Sequence, residues 1–352
     1  MEFVFSEDQL LLQQTVRDFL EGECTVEHIR AMWETDTGRS PEFWAKLAEI
    51  GVPGLLVPDE HGGMGMNEVD MVLVLEETGR AGLAEPVIPT AFVGVPLLAE
   101  AGGDVAKEWL PKVAEGAAIL AVGHEQSPFV SDAHIADLLL LSSGDAVHAV
   151  PSSAVKLTAQ AANDPAKKIS SVEWTPSAAT LLADGDAGRA LQAAAFDRGT
   201  LACAAQLLGV AQQLIDMAVL YATQRKQFGV PIGSFQSIKH MLANEKVKVE
   251  YARTLVYRAA DSVANATPGR AVDVSMAKIA TGEAAVSIAK TALQVHGALG
   301  YTWEQDLHVW MRRAWSLDAS WGSLSFHKRR LAEAVIDGKS PAVTFGYETP
   351  AA

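Results

Sequence analysis

Hydrophobic positions along this chain change their period twice. From Ser6 to about Ala101 they recur at helical spacing, with Leu10, Leu11, Val16, Phe19 and Leu20 on one face. Ser6 is suited to cap that first helix, and Asp8 adds acid to its first turn. A second helix is expected over 41–50, with Pro41 in its first turn and Gly51 ending it. His61-Gly62-Gly63-Met64-Gly65-Met66 reads as a loop, and an apolar helix follows through Val72, Leu73, Leu75 and Glu76. The loop lacks the Lys-Ser/Thr pair and the preceding strand of a phosphate cradle, so it reads as a turn between helices.

From about Ala117 to Asp184 short apolar runs alternate with Ser, Asp, Gly and Pro. Ile119–Val122, Leu138–Leu141, Val147–Val150 and 172–174 are the expected strands of a small β subdomain. Helical periodicity then returns in long segments. One carries Leu207, Leu208, Ala211, Leu214, Ile215 and Ala218 and ends near Phe228-Gly229; others span about 235–266 and 270–296, and a shorter one follows Ser323. Long helices with short loops pack as an up-down bundle. The predicted fold is mainly α: an N-terminal helical domain (1–112), a reduced β domain (113–186) and a C-terminal four-helix bundle (187–352).

Composition narrows the chemistry. A chain of 352 residues, 49% hydrophobic and 20% charged, is globular and long enough for two or three subdomains. A formal charge of −15 argues against a nucleic-acid surface. Cys24 and Cys203 read as buried small hydrophobes in a reducing compartment. The acidic opening has no basic leader region and no run of about 18 apolar residues stands out, so a cytoplasmic protein without a membrane span is expected. The nine histidines show no metal-ligand spacing, the paired Glu-x-x-His of a di-iron bundle is missing, and so is the Gly-x-Ser-x-Gly elbow of a hydrolase.

Two segments remain. Gln224-Arg225-Lys226-Gln227-Phe228-Gly229 continues to Phe235-Gln236, and Gln294-Val295-His296-Gly297-Ala298-Leu299-Gly300-Tyr301 leads to Met311-Arg312-Arg313-Ala314. An arginine at a helix end beside glycines offers a charge-assisted fork to a pyrophosphate, and backbone amides near Gly297 can complete such a site. In this order and spacing, with Phe5-Ser6-Glu7-Asp8-Gln9, Pro58 to Gly63 and Glu76-Glu77, the chain resembles the acyl-CoA dehydrogenase family over nearly its whole length. That resemblance implies FAD held across a subunit interface, with Arg225, Gln227, Phe228, Gln236, Gln294, Gly297 and Ala298 serving a neighbour's cofactor. Ala298 in place of glycine, and Gln227 in place of threonine or serine, are mild departures.

The departures at the chemistry are larger. Members of the family take a proton from the acyl α-carbon with a carboxylate while hydride leaves the β-carbon for the flavin. The resemblance puts that base at Trp321 or, in some members, at Gly199; neither is acidic, and Asp318 and Asp197 are the nearest carboxylates. Around Ala121 to Gln126 the pattern that covers the flavin ring is missing. The resemblance therefore implies a non-catalytic subunit of a heteromeric acyl-CoA dehydrogenase acting on a bulky thioester such as a steroid side-chain CoA. Its expected partners are a catalytic homologue or a second copy of itself, acyl-CoA, and an electron-transfer flavoprotein. An active homotetramer with a relocated base and a flavin-free acyl-CoA- or protein-binding scaffold are the alternatives.

Overall fold

The computed structural model describes residues 4–338, so the outer ends of the first and last predicted domains, 1–3 and 339–352, lie outside the described residues. Ser6 opens α1 (Glu7–Glu23) with a reciprocal cap: its hydroxyl accepts the Gln9 N–H at 3.2 Å, and Gln9 Oε1 accepts the Ser6 N–H at 2.8 Å. Helices α2 (Val26–Trp33), α3 (Pro41–Glu49), α4 (Glu68–Arg80), α5 (Val95–Ala101) and α6 (Gly103–Ala114) complete the N-terminal part. Gly51, with φ of 83°, supplies the left-handed turn beyond α3. Helix α4 is buried over most of its length between α1 and the bundle.

Seven short strands follow: β1 (Leu120–Gly123), β2 (Val130–Ser131), β3 (Leu138–Ser143), β4 (Ala146–Pro151), β5 (Lys156–Gln160), β6 (Ile169–Glu173) and β7 (Leu181–Ala183). They form two sheets, ordered β1-β3-β4-β7 and β2-β6-β5. The continuous apolar run of β3 is explained by cover on both faces. Leu138 and Leu140 join the main core, whereas Leu139 and Leu141 join a second cluster with Val130 and Val150.

The C-terminal part holds α7 (Gly185–Gln224), the hairpin β8 (Lys226–Gln227) and β9 (Val230–Pro231), then α8 (Gln236–Ala264), α9 (Arg270–His296), α10 (Leu307–Ala319) and α11 (Leu324–Val335). Helices α7 to α10 make the bundle and α11 packs on α9. Helix α7 is long and apolar enough to cross a membrane, with a mean hydropathy of 1.4 over its most apolar window. Two thirds of that window (67%) is buried inside the protein, where α7 packs on α4, α8, α9 and α10, so its apolarity serves the core. Small residues let it approach α4 closely: a Cβ on Gly209 would fall on the Glu76 carbonyl oxygen, and one on Gly79 on that of Gln206.

Buried charges tie the parts together. Glu77 is bound by Arg17, with Nε at 2.9 Å, and Glu76 by Arg253 and the Tyr257 hydroxyl at 2.9 Å. Arg198 reaches Glu68 and Glu100, each at 2.6 Å. Both cysteines are free and buried, and burial pushes the Cys24 thiol up to about 12.

Candidate functional site

The two positions that the sequence singles out as non-acidic lie against each other. Gly199 sits within α7 and Trp321 in the turn between α10 and α11. A Cβ built on Gly199 would fall inside the Trp321 indole, so the ring lies directly on the glycine backbone. The rings of Phe196 and His124 each stand 6.2 Å from the indole, and His124 is 5.0 Å from Phe196. The space where a carboxylate from either position would stand is thus filled by aromatic rings.

Neither fallback carboxylate reaches this place. Asp197 is 2% exposed and paired with Arg330 at 2.8 Å and Arg270 at 3.1 Å. Asp197 lies in the interior of α7, twelve residues beyond its first residue, Gly185. Asp318 points at α9, where its Oδ1 occupies the space beside Gly282.

Beside the indole lies a cavity of about 450 Å³ enclosed by the N-terminal part, the β subdomain and the bundle. Its wall is largely apolar, with Leu83, Ile88, Val122, Phe129 and Leu317 among its residues, and its polar groups are mostly paired. Arg39 meets Asp132, Arg313 Nε meets Asp164 at 2.6 Å, and Lys167 Nζ donates to Ser320 Oγ at 3.0 Å. His124 accepts the Gln126 N–H on Nδ1 at 3.1 Å, and burial lowers its pKa.

Glu85 differs from these neighbours. One of its oxygens accepts the Ser40 N–H at 3.1 Å, and the other has no hydrogen-bond partner among the described residues. Burial raises its carboxyl to about 7, opposed by the Ser40 N–H and Arg39 and assisted by Asp132. Sequence reasoning missed Glu85, Arg39, Asp132 and Arg313. Their partners stand up to 230 residues away in the chain, so no local pattern announces them.

The second constellation is at one end of the bundle. Arg225 caps α7, Gln227 and Phe228 lie on the hairpin, Gln236 opens α8, and Gln294, Gly297 and Ala298 close α9. Up-down packing brings the end of α7, the start of α8 and the end of α9 to one side, where Tyr221 and His296 stack at 4.3 Å. Phe228 and Gly229, with φ of 53° and 81°, turn the hairpin and leave the Phe228 ring 93% exposed. Arg225, Gln236 and Gln294 are exposed and make no side-chain hydrogen bond or ion pair among the described residues. Gln227 donates to the Lys226 carbonyl at 2.8 Å. A free guanidinium, free amides, an exposed ring and the amides at a helix end suit an anionic, aromatic ligand arriving from outside the chain. That donor set fits the ADP part of FAD. Trp321, from the turn between α10 and α11, and His124, just beyond β1, line the cavity on the side of the bundle. Among the described residues no group of three or more His, Cys, Asp or Glu converges as a metal site.

Comparison with known proteins bears on the family and the fold. Residues 186–336 match the model described as "Acyl-CoA dehydrogenase, C-terminal domain", and residues 6–117 that described as "Acyl-CoA dehydrogenase, N-terminal domain". The acyl-CoA dehydrogenase IpdE2 of Mycolicibacterium smegmatis is 35% identical over 88% of this chain and 93% of its own length. IpdE2 of Mycobacterium tuberculosis is 32% identical over 88% and 91%. A chain of the ChsE4-ChsE5 complex from Mycobacterium tuberculosis superposes with a TM-score of 0.87 at 26% identity, covering 97% of this chain and 100% of that one.

Proposed function

We propose, from the premise that this chain belongs to the acyl-CoA dehydrogenase family, that it is the non-catalytic subunit of a heteromeric, FAD-dependent acyl-CoA dehydrogenase. The observation that carries this reading is the meeting of Gly199 and Trp321. The two positions meet, and the Trp321 indole fills the space a side chain on Gly199 would need. Proton abstraction from an acyl α-carbon needs a positioned acceptor within hydrogen-bond reach, which indole nitrogen is not.

When bound, FAD supplies the hydride acceptor for the β-carbon. In the proposed complex Arg225, Phe228, Gln294 and the amides near Gly297 would hold the ADP part of FAD, the guanidinium supplying positive charge for its pyrophosphate. The ring and the base come from a homologous partner. The similarity to a subunit of the ChsE4-ChsE5 complex supports a heteromeric assembly. The acyl group, taken to be a bulky one such as a steroid side chain, electron transfer to an electron-transfer flavoprotein and a cytoplasmic setting belong to the same proposal.

A second reading, an active chain with a relocated base, is favoured by Glu85, whose carboxyl has a free oxygen on the cavity wall. Flavin stoichiometry separates the two. The chain is purified alone and co-expressed with its homologue, and flavin absorbance is divided by protein. One FAD per heterodimer and none in the chain alone is expected, and Arg225→Ala should strip flavin from the complex while leaving the chain's melting temperature unchanged. Full flavin with α,β-dehydrogenation by the chain alone would move the assignment to the second reading.

A further inference from the structure

Trp321 is held in place by more contacts than a drifting surface residue needs. Its φ of 53° lies in the left-handed region, unfavourable for a bulky side chain and maintained only where the surroundings over-determine it. They do so from several directions. Buried Lys278 donates to the carbonyls of Leu317 at 2.9 Å and Asp318 at 2.8 Å, fixing the end of α10. The Trp321 carbonyl accepts from His327 Nε2 at 2.9 Å and from Thr200 Oγ1 at 3.4 Å. His327 is fully buried, with Nδ1 at 3.1 Å from Ser275 Oγ, and Ser323 caps α11 immediately beyond. On the opposite side α7 presents a glycine where any Cβ would collide with the indole. Ring and receptor therefore match.

We propose that Trp321 is a fixed stopper that closes this chain's own thioester slot, so that the complex takes acyl-CoA in its partner's slot alone. The inference rests on the subunit reading above and adds physical exclusion to the missing base. The indole also borders the 450 Å³ cavity, so removing it joins the slot to existing space instead of leaving a sealed void.

The test uses the heteromeric complex and octanoyl-CoA as probe, titrated by calorimetry, with flavin counted in the same samples. Trp321→Gly removes the ring and relieves the left-handed backbone, while Trp321→Asn keeps a residue that tolerates that backbone and serves where glycine leaves the turn too loose. The expected result is one additional equivalent of octanoyl-CoA per heterodimer in either variant, with flavin content unchanged. No added equivalent in an assembled variant overturns the stopper and leaves the subunit reading standing. Two equivalents already in the wild-type complex overturn the stopper too. Flavin-dependent turnover by the chain alone overturns the subunit reading itself, and the stopper with it.

Discussion

Replacing Glu85 by glutamine tests the electrostatics of the cavity directly. The side chain is 6% exposed, and burial raises its carboxyl from an ordinary 4.5 to about 7. The native chain therefore holds this proton where the unfolded chain releases it. Below pH 4.5 both states are protonated and the contribution is complete. As pH rises towards 7 the unfolded state loses its proton first, so stability falls; above 7 the loss is constant. The rise from 4.5 to about 7, at about 1.36 kcal/mol per pH unit, amounts to roughly 3 kcal/mol, of which about 2 kcal/mol falls above pH 5.5. With an unfolding entropy near 2.1 cal/mol/K per residue, that portion corresponds to roughly 3 °C for a chain of this length. The amide introduced by Glu85→Gln can still accept the Ser40 N–H but does not titrate. The melting temperature of E85Q, measured by scanning fluorimetry at fixed ionic strength, should gain about 3 °C on wild type between pH 5.5 and 8. Taking the difference removes His327, which burial lowers to about 4 and whose contribution has the opposite sign: it is lost as pH falls from 6.5 towards 4. A difference that stays constant with pH would refute the argument.

Other outcomes follow from the packing. Asp132→Ala leaves Arg39 buried without its charge partner and should cost about 3–5 kcal/mol, visible as a lowered denaturation midpoint; a change below 1 kcal/mol would mean water reaches Arg39. Gly209→Ala forces α7 away from the Glu76 carbonyl and should destabilise by about 2–3 kcal/mol. Gly22→Ala, within α1 and with no atom inside 4 Å of the new Cβ, should instead stabilise by about 0.5–1 kcal/mol. Equal effects at the two glycines would contradict the proximity argument.

How legible each feature was depended on whether its cause was local. The Ser6 cap, the Pro41 start and Gly51 stop, and the long bundle helices are decided within a few residues, and the structure forms them close to the expected places. The leucines of β3 announced a strand for the same reason. Strand β5 did not: Lys156 to Gln160 is mostly exposed and polar, and it is a strand because β6 pairs along it. Helix α2 is short, with Ile29 as its buried residue, and its periodicity is too brief to detect. The convergence of Gly199 on Trp321 was legible only as two separate gaps in a family pattern. That they fill one another is a tertiary fact, and so is the burial that perturbs Glu85.

The geometry of α7 also explains how one half of such a site can be closed while the other persists. Gly199 and Arg225 lie about 26 residues apart on the same helix, roughly 39 Å at 1.5 Å per residue. Between them α7 is packed against α8, α9 and α4 by residues such as Leu207, Val210, Ala211 and Leu214, each essentially inaccessible. A rigid, buried connection of that length transmits position but not the local side-chain changes at either end. An indole seated on Gly199 is therefore compatible with an unaltered Arg225 and Gln294 at the far end of the bundle. The buried segment must remain intact for that far end to present its free guanidinium and exposed Phe228 to a neighbour. Under the proposed reading, a subunit that serves only its partner would be constrained through α7 and the hairpin and released at the slot.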